Sequence, residues 1–158
     1  MRVGIGFDAH RFDAASAPLR LGGVVVDPAR GLAATSDGDV VVHAVVDAVL
    51  GAAALGDLGT HFPSSDERWK GADSLQLLRN AVDSAAAVGF RPASVDVTVV
   101  AQSVMIGHHR SEMRTALARA LGIDVDDVSV KATTTDGMGS IGNDEGIAAM
   151  AVATLVSA

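Results

Sequence analysis

Cysteine is absent from this chain. No disulfide framework and no thiolate metal site can form, so any metal must be held by histidine and carboxylate. Aromatic residues make up only 3% of a sequence that is 49% hydrophobic, so the core must be built from Ala, Val, Leu and Ile. Positive charge is also scarce: 12 Lys and Arg face 19 Asp and Glu, for a net charge of -7, and no basic stretch occurs. That balance argues against nucleic acid and against anionic membrane surfaces as partners. No uninterrupted apolar run approaches the ~20 residues of a membrane span. Strand-like sequence from Arg2 leaves no room for a signal or transit peptide, so a cytoplasmic location is expected. The 158 residues, without repeats or a linker, are expected to form one domain, 1–158, with a substantial core.

What is present centres on the stretch from Thr35 to Gly59. Thr35-Ser36-Asp37-Gly38-Asp39 reads as a loop that turns into a helix running from about Asp39 to near Gly56. Ser36 with Asp39 three positions on is close to a capping box, and Asp37 and Asp39 place negative charge at the positive end of the helix. From Val40 the residues are apolar except His43 and Asp47, which are i and i+4 and share a face. A single histidine on an apolar helix is, taken alone, better explained by packing than by function. Asp8-Ala9-His10 alters that weighting. Arg2 to His10 reads as a strand, which puts Asp8 and His10 on the same side, ~7 Å apart along the chain. A hydrogen-bonded pair at a strand end and a metal-ligand pair both fit. With His43 added, two imidazoles and one carboxylate match a catalytic zinc set that leaves the fourth position open. Asp47 is either a partner that orients His43 or a solvated helix carboxylate.

The remaining elements follow from periodicity and breakers. Leu19–Leu21 and Val24–Val26 flank Gly22-Gly23 as a short hairpin. Asp57 to Asp66 is a polar loop, either a substrate wall or ordinary surface. A helix is expected from about Ser74 to Val88, a strand from Ser94 to Val104, a helix from Ser111 to Leu121 and a strand from Asp126 to Thr135. Thr133-Thr134-Thr135-Asp136-Gly137 offers three hydroxyls and a carboxylate suited to phosphate and a hard divalent cation, although Thr is common in strands. Gly139 to Gly146 reads as a flexible loop. Ile147 to Val156 is helix or strand; small apolar residues in both alternating rows fit a strand covered on both sides.

Several blocks occur together and in order: Gly4-x-Gly6-Phe7-Asp8-x-His10, Ser36-Asp37-Gly38-Asp39-x-x-x-His43-Ala44-x-x-Asp47-Ala48, Gly51-Ala52-Ala53-Ala54-Leu55-Gly56-Asp57-Leu58-Gly59, Lys70-Gly71-Ala72-Asp73-Ser74 and Lys131-Ala132-Thr133-Thr134-Thr135. Over essentially the whole chain they resemble the 2-C-methyl-D-erythritol 2,4-cyclodiphosphate synthase family of the non-mevalonate isoprenoid pathway.

That resemblance implies a two-layer α/β (α+β) domain, with an about four-stranded mixed sheet and helices on one side. Three copies would pack their sheets around a threefold axis, with active sites between subunits. The implied activity is that of a CMP-releasing phosphorus–oxygen lyase. In 4-diphosphocytidyl-2-C-methyl-D-erythritol 2-phosphate the 2-phosphate attacks the β-phosphate, CMP leaves and a cyclic diphosphate remains. Asp8, His10 and His43 would hold one Zn2+ per subunit, which takes a β-phosphate oxygen. Asp136 aligns with a family Glu that helps bind Mg2+ or Mn2+ on the diphosphate, and Thr134 with a transition-state stabiliser. Asp8, His10, Thr35, Ser36, Asp57, Leu58, Gly59, Phe62, Pro63, Ser64, Ser65 and Asp66 fall at positions around the methylerythritol and its phosphates. Ala101, Met105, Ile106, Gly107, Ala132, Thr133, Thr134 and Thr135 fall in the cytidine pocket, supplied across the interface.

Departures from the family pattern cluster around anionic ligands. Thr35 stands where the family has a transition-state-stabilising His, and Val104-Met105 where it has Pro-Lys. Asn143 replaces the Arg that lines the trimer's central cavity and can bind diphosphate, and Asp144 replaces a Gly, which is expected to add negative charge there. Two further readings stay open on this basis: a sister enzyme acting on another CDP-activated polyol phosphate, or a catalytically inactive metal-holding trimer with a structural or regulatory role.

Overall fold

The computed structural model describes residues 1–158. Six strands and five α-helices follow one another: β1 (Arg2–Arg11), β2 (Leu19–Leu21), β3 (Val24–Asp27), α1 (Val40–Ala53), α2 (Leu58–His61), α3 (Ser74–Ala87), β4 (Phe90–Val100), α4 (Arg110–Leu121), β5 (Val128–Thr133), α5 (Gly139–Gly142) and β6 (Gly146–Ser157). The main sheet is mixed, in the order β1-β6-β4-β5, and β2 and β3 form a separate hairpin. β6 runs antiparallel to both neighbours, whereas β4 and β5 are parallel and joined through α4. The helix-or-strand ambiguity over 147–156 thus resolves as an inner strand, β6.

Helix α1 lies against the sheet as its main cover. Twelve of its residues are buried, as expected of a helix that is apolar on nearly every face. Its start differs from the capping box read from Ser36. Asp39 is itself the N-cap: it accepts from Val42 N–H at 3.0 Å and, fully buried, also from the N–H groups of Gly22 (2.8 Å) and Gly23 (2.6 Å). One carboxylate therefore ties the hairpin turn to the helix start.

The other differences are local. β4 begins at Phe90 rather than Ser94, because Pro92 sits at a bulge between Pro92 and Ser94 where its missing N–H is tolerated. It ends at Val100 rather than Val104, where its pairing with Ala148 and Thr133 runs out. β5 is shorter than 126–135, since Val125–Asp127 is a 3-10 turn capped by Asp124 and Thr134 has left the ladder. Gly139–Gly142 is a short helix instead of loop, and so is Leu58–His61.

One face of the sheet packs on the helices, with Val97, Val99, Ala149, Ala151 and Ala153 fully buried. The opposite face carries Val3 (63% exposed), Ile5 (67%), Phe7 (60%), Met150 (44%) and Val152 (38%). The expectation that β6 is covered on both sides is therefore not met within one chain.

Candidate functional site

Asp8 and His10 lie on the helix-facing side of β1, in the same alternating row as Gly4 and Gly6. Those glycines let α1 come down onto the strand. A Cβ on Gly6 would stand 1.9 Å from the Ala44 carbonyl oxygen, and one on Gly4 2.0 Å from that of Ala48. His43, in the first turn of α1, is thereby held above Asp8. His43 Nδ1 lies 2.8 Å and His10 Nε2 3.1 Å from Asp8 Oδ2. The three side chains each present one ligand atom, all within 4.8 Å of one another. Residues 33 positions apart in the chain thus converge on one point, as read from the sequence.

Burial pushes the Asp8 carboxyl up, but hydrogen bonds from His10 and His43, reinforced by their charge, hold it well below the usual carboxylate range. The hydrogen bond to Asp8 raises His10 against the opposing effect of burial. His10 Nδ1 donates to the Ala33 carbonyl at 2.7 Å, which fixes the ring and turns Nε2 toward Asp8. One carboxylate oxygen and two imidazole nitrogens beside an open cavity are a donor set suited to a divalent transition metal. Binding there would displace the protons these nitrogens share with Asp8.

The cavity holds about 230 Å³ and is lined by 12 residues: Asp8, His10, Ala34, Thr35, Ser36, His43, Asp47, Leu58, Phe62, Ser64, Trp69 and Leu77. None of them is Lys or Arg. Phe62 and Trp69 meet edge to face at 5.0 Å and form an apolar wall. Of the polar loop, Leu58, Phe62 and Ser64 reach the cavity, while Asp57, Gly59, Pro63, Ser65 and Asp66 do not line it. Asp57 instead caps α2 by accepting from Thr60 N–H at 2.8 Å, and Asp66 pairs with Arg68 at 2.5 Å. Asp47 is neither of the two things expected of it: its carboxylate accepts from Leu58 N–H at 2.7 Å and holds α2 beside α1. Trp69 and Leu77 were not identified from the sequence, where an aromatic in a loop and a leucine on a helix face carry no mark of a cavity wall.

The second predicted group gathers elsewhere. Ala101 N–H donates to Thr133 O at 3.0 Å, and Gly137 N–H to Gln102 Oε1 at 3.3 Å, so the loop after β4 lies along the loop after β5. Thr134 Oγ1 donates to Asp136 Oδ1 at 3.2 Å. Ala101 and Ile106 are buried in the core, so their side chains are turned from solvent, whereas Met105 is 70% exposed. Asp8 pairs with Ala149, Ala149 with Val99, and Val99 with Ala132. The two groups therefore share one row of the sheet but stand three strands, ~14 Å, apart. Thr134 does not line the cavity of its own chain.

Asp144 adds its negative charge beside a cation that is already engaged. Its carboxylate lies 3.2 Å from Arg30, which also pairs with Asp27 at 3.0 Å, so one guanidinium serves two carboxylates, and it accepts from Ser103 Oγ at 2.7 Å. These contacts tie the loop after β4 to the segment before α1.

The model of the YgbB family matches residues 1–156. A protein of Salinibacter ruber named 2-C-methyl-D-erythritol 2,4-cyclodiphosphate synthase is 54% identical over 158 residues, 100% of both chains. Among solved structures, the bifunctional IspDF from Campylobacter jejuni superposes with a TM-score of 0.95 at 41% identity; 99% of this chain is covered, which spans 42% of that longer one. The CDP complex of IspF from Plasmodium falciparum gives a TM-score of 0.85 at 31% identity, over 99% of this chain and 96% of its own.

Proposed function

The chain belongs to the YgbB family, and on that premise we propose that it is a cytoplasmic, single-domain 2-C-methyl-D-erythritol 2,4-cyclodiphosphate synthase. The observation that carries the reading is the convergence of Asp8, His10 and His43 in a cavity lined by no Lys or Arg. A multiply charged diphosphate needs counter-charge, and where Lys and Arg are missing metal ions are its natural source.

The substrate would be 4-diphosphocytidyl-2-C-methyl-D-erythritol 2-phosphate. An oxygen of its 2-phosphate forms a bond to the β-phosphorus, the bond from that phosphorus to the oxygen bridging to the α-phosphate breaks, and CMP departs with that oxygen. The reaction is a CMP-releasing phosphorus–oxygen lyase step. Asp8, His10 and His43 would hold zinc, and Asp136 would help hold magnesium or manganese. Bound there, the metals supply electrophilic activation and neutralise the phosphates. Because the nucleophile belongs to the substrate, the protein's part is positioning and exclusion of water. Thr35 and Ser36 offer hydroxyls beside the metal ligands, and Leu58, Phe62 and Trp69 offer an apolar wall to the methylerythritol carbons. Thr134 would donate to the transferring phosphoryl group.

The ~14 Å between the cavity and the Thr133–Asp136 loop supports a site completed by a second copy. The exposed apolar face made by Val3, Ile5, Phe7, Met150 and Val152 supports packing of three sheets around an axis. Phosphorus NMR of the product mixture, with zinc and magnesium present, should show CMP and the cyclic diphosphate in equal amounts. Absence of CMP from this and every other CDP-linked polyol phosphate would refute the proposal.

A further inference from the structure

His43 meets Asp8 through Nδ1, so its other nitrogen, Nε2, governs how the first is presented to a metal. Nε2 lies 3.0 Å from Ser74 Oγ and 3.0 Å from Ser36 Oγ. Ser74 is fully buried at the start of α3, and His43 is 7% exposed. The Ser74 hydroxyl has a single proton. It donates to Asp37 Oδ1, while Ser74 N–H donates to Asp37 Oδ2 at 3.1 Å. A carboxylate only accepts, so the hydroxyl proton goes to Asp37, and Ser74 turns a lone pair toward His43. Nε2 must then carry a hydrogen. The Ser36 hydroxyl imposes no such direction. It can donate or accept, and its one other partner is Gly38 N–H at 3.4 Å.

We infer that Asp37 and Ser74 are positioning residues for the metal centre. They form a carboxylate–hydroxyl–imidazole chain that keeps a proton on His43 Nε2 and reserves Nδ1 for a divalent cation. The inference rests on the reading that Asp8, His10 and His43 hold such a metal. It gives Asp37 and Ser74 a purpose beyond tying the start of α3 to the loop before α1. The chain also couples the ligand on α1 to the start of α3, so the orientation of the imidazole depends on how the two helices pack. Partners of this kind commonly change metal affinity ten- to a hundredfold when removed.

The test is zinc affinity, measured by competition with a chromophoric chelator on metal-stripped protein. Wild type, Ser74→Ala, Asp37→Asn and the double variant are compared, and each is also melted without metal. Asp37→Asn is isosteric, but its amide can donate to Ser74 and free the hydroxyl proton to point at Nε2, reversing the chain. Each single variant should bind zinc about ten- to a hundredfold more weakly. The double variant should be no weaker than the weaker single one, because both break the same chain. Affinities within twofold of wild type in both single variants would overturn the inference, as would losses that multiply in the double variant. Weakening confined to variants whose metal-free fold is also lost would overturn it too, leaving the Asp37–Ser74 contact as a tie between the starts of α1 and α3 only. A wild-type chain that binds no zinc would overturn the underlying metal site as well, and is told apart by the first titration.

Discussion

Asp39 shows how much one side chain can hold. Its carboxylate accepts three buried or half-buried backbone N–H groups, from Gly22, Gly23 and Val42. Asp39→Ala removes a helix cap worth ~1 kcal/mol and strands two hairpin amides at ~1–3 kcal/mol each. Urea denaturation should therefore show a loss of ~3 kcal/mol or more. The site residues that depart from the family pattern make a different prediction. Thr35 lines the cavity where a stabilising His would stand, and Met105 is exposed where a Lys would face the nucleotide. A lost charged contact is worth ~1.5–3 kcal/mol in binding, and a lost stabilising donor ~10²–10³ in rate. Thr35→His combined with Met105→Lys should raise turnover in a CMP-release assay at fixed zinc and magnesium. Unchanged turnover would show that the Thr35 hydroxyl and neighbouring groups already fill these roles.

The packing of α1 on β1 is what brings Asp8, His10 and His43 together, and it explains what was and was not legible. Gly4 and Gly6 read from the sequence as alternating positions in a strand. That the alternation serves a helix lying almost in contact with the strand backbone is invisible until both elements are placed. The triad was legible because histidine is scarce here, with only 5 in the chain, and because Asp-x-His and a helical His are informative together. Ser74, Trp69 and Leu77 were not legible as site residues, since each looks like an ordinary cap or core position until α3 and the loop before it close over α1. Strand ends were misjudged where pairing, not composition, sets them, as at Val100 and Thr133. Gly6→Ala tests the packing claim. Its Cβ would meet the Ala44 carbonyl oxygen at 1.9 Å, so α1 must shift. Destabilisation at or above the ~1–3 kcal/mol usual for overpacking is expected, together with weaker zinc binding, because His43 moves with the helix. Stability lost without any loss of zinc affinity would separate the packing from the site.

The assembled form is where cavity and nucleotide loop would meet. Ile5→Glu or Phe7→Glu puts charge on the exposed apolar face and should convert a trimer to monomers in light scattering. Zinc content should be unchanged, because the ligand triad lies within one chain. CMP release should nevertheless fall to background, because Thr134 of each chain stands ~14 Å from its own metal ligands. The decisive measurement mixes two inactive variants, His43→Ala and Thr134→Ala, denatures and refolds them together, and assays CMP release. If each site takes its metal ligands from one copy and Thr134 from the next, about a quarter of the sites in randomly mixed closed trimers are intact, and activity returns to that fraction of wild type. No recovery from the mixture, with trimers formed and zinc bound, would contradict a site shared between subunits.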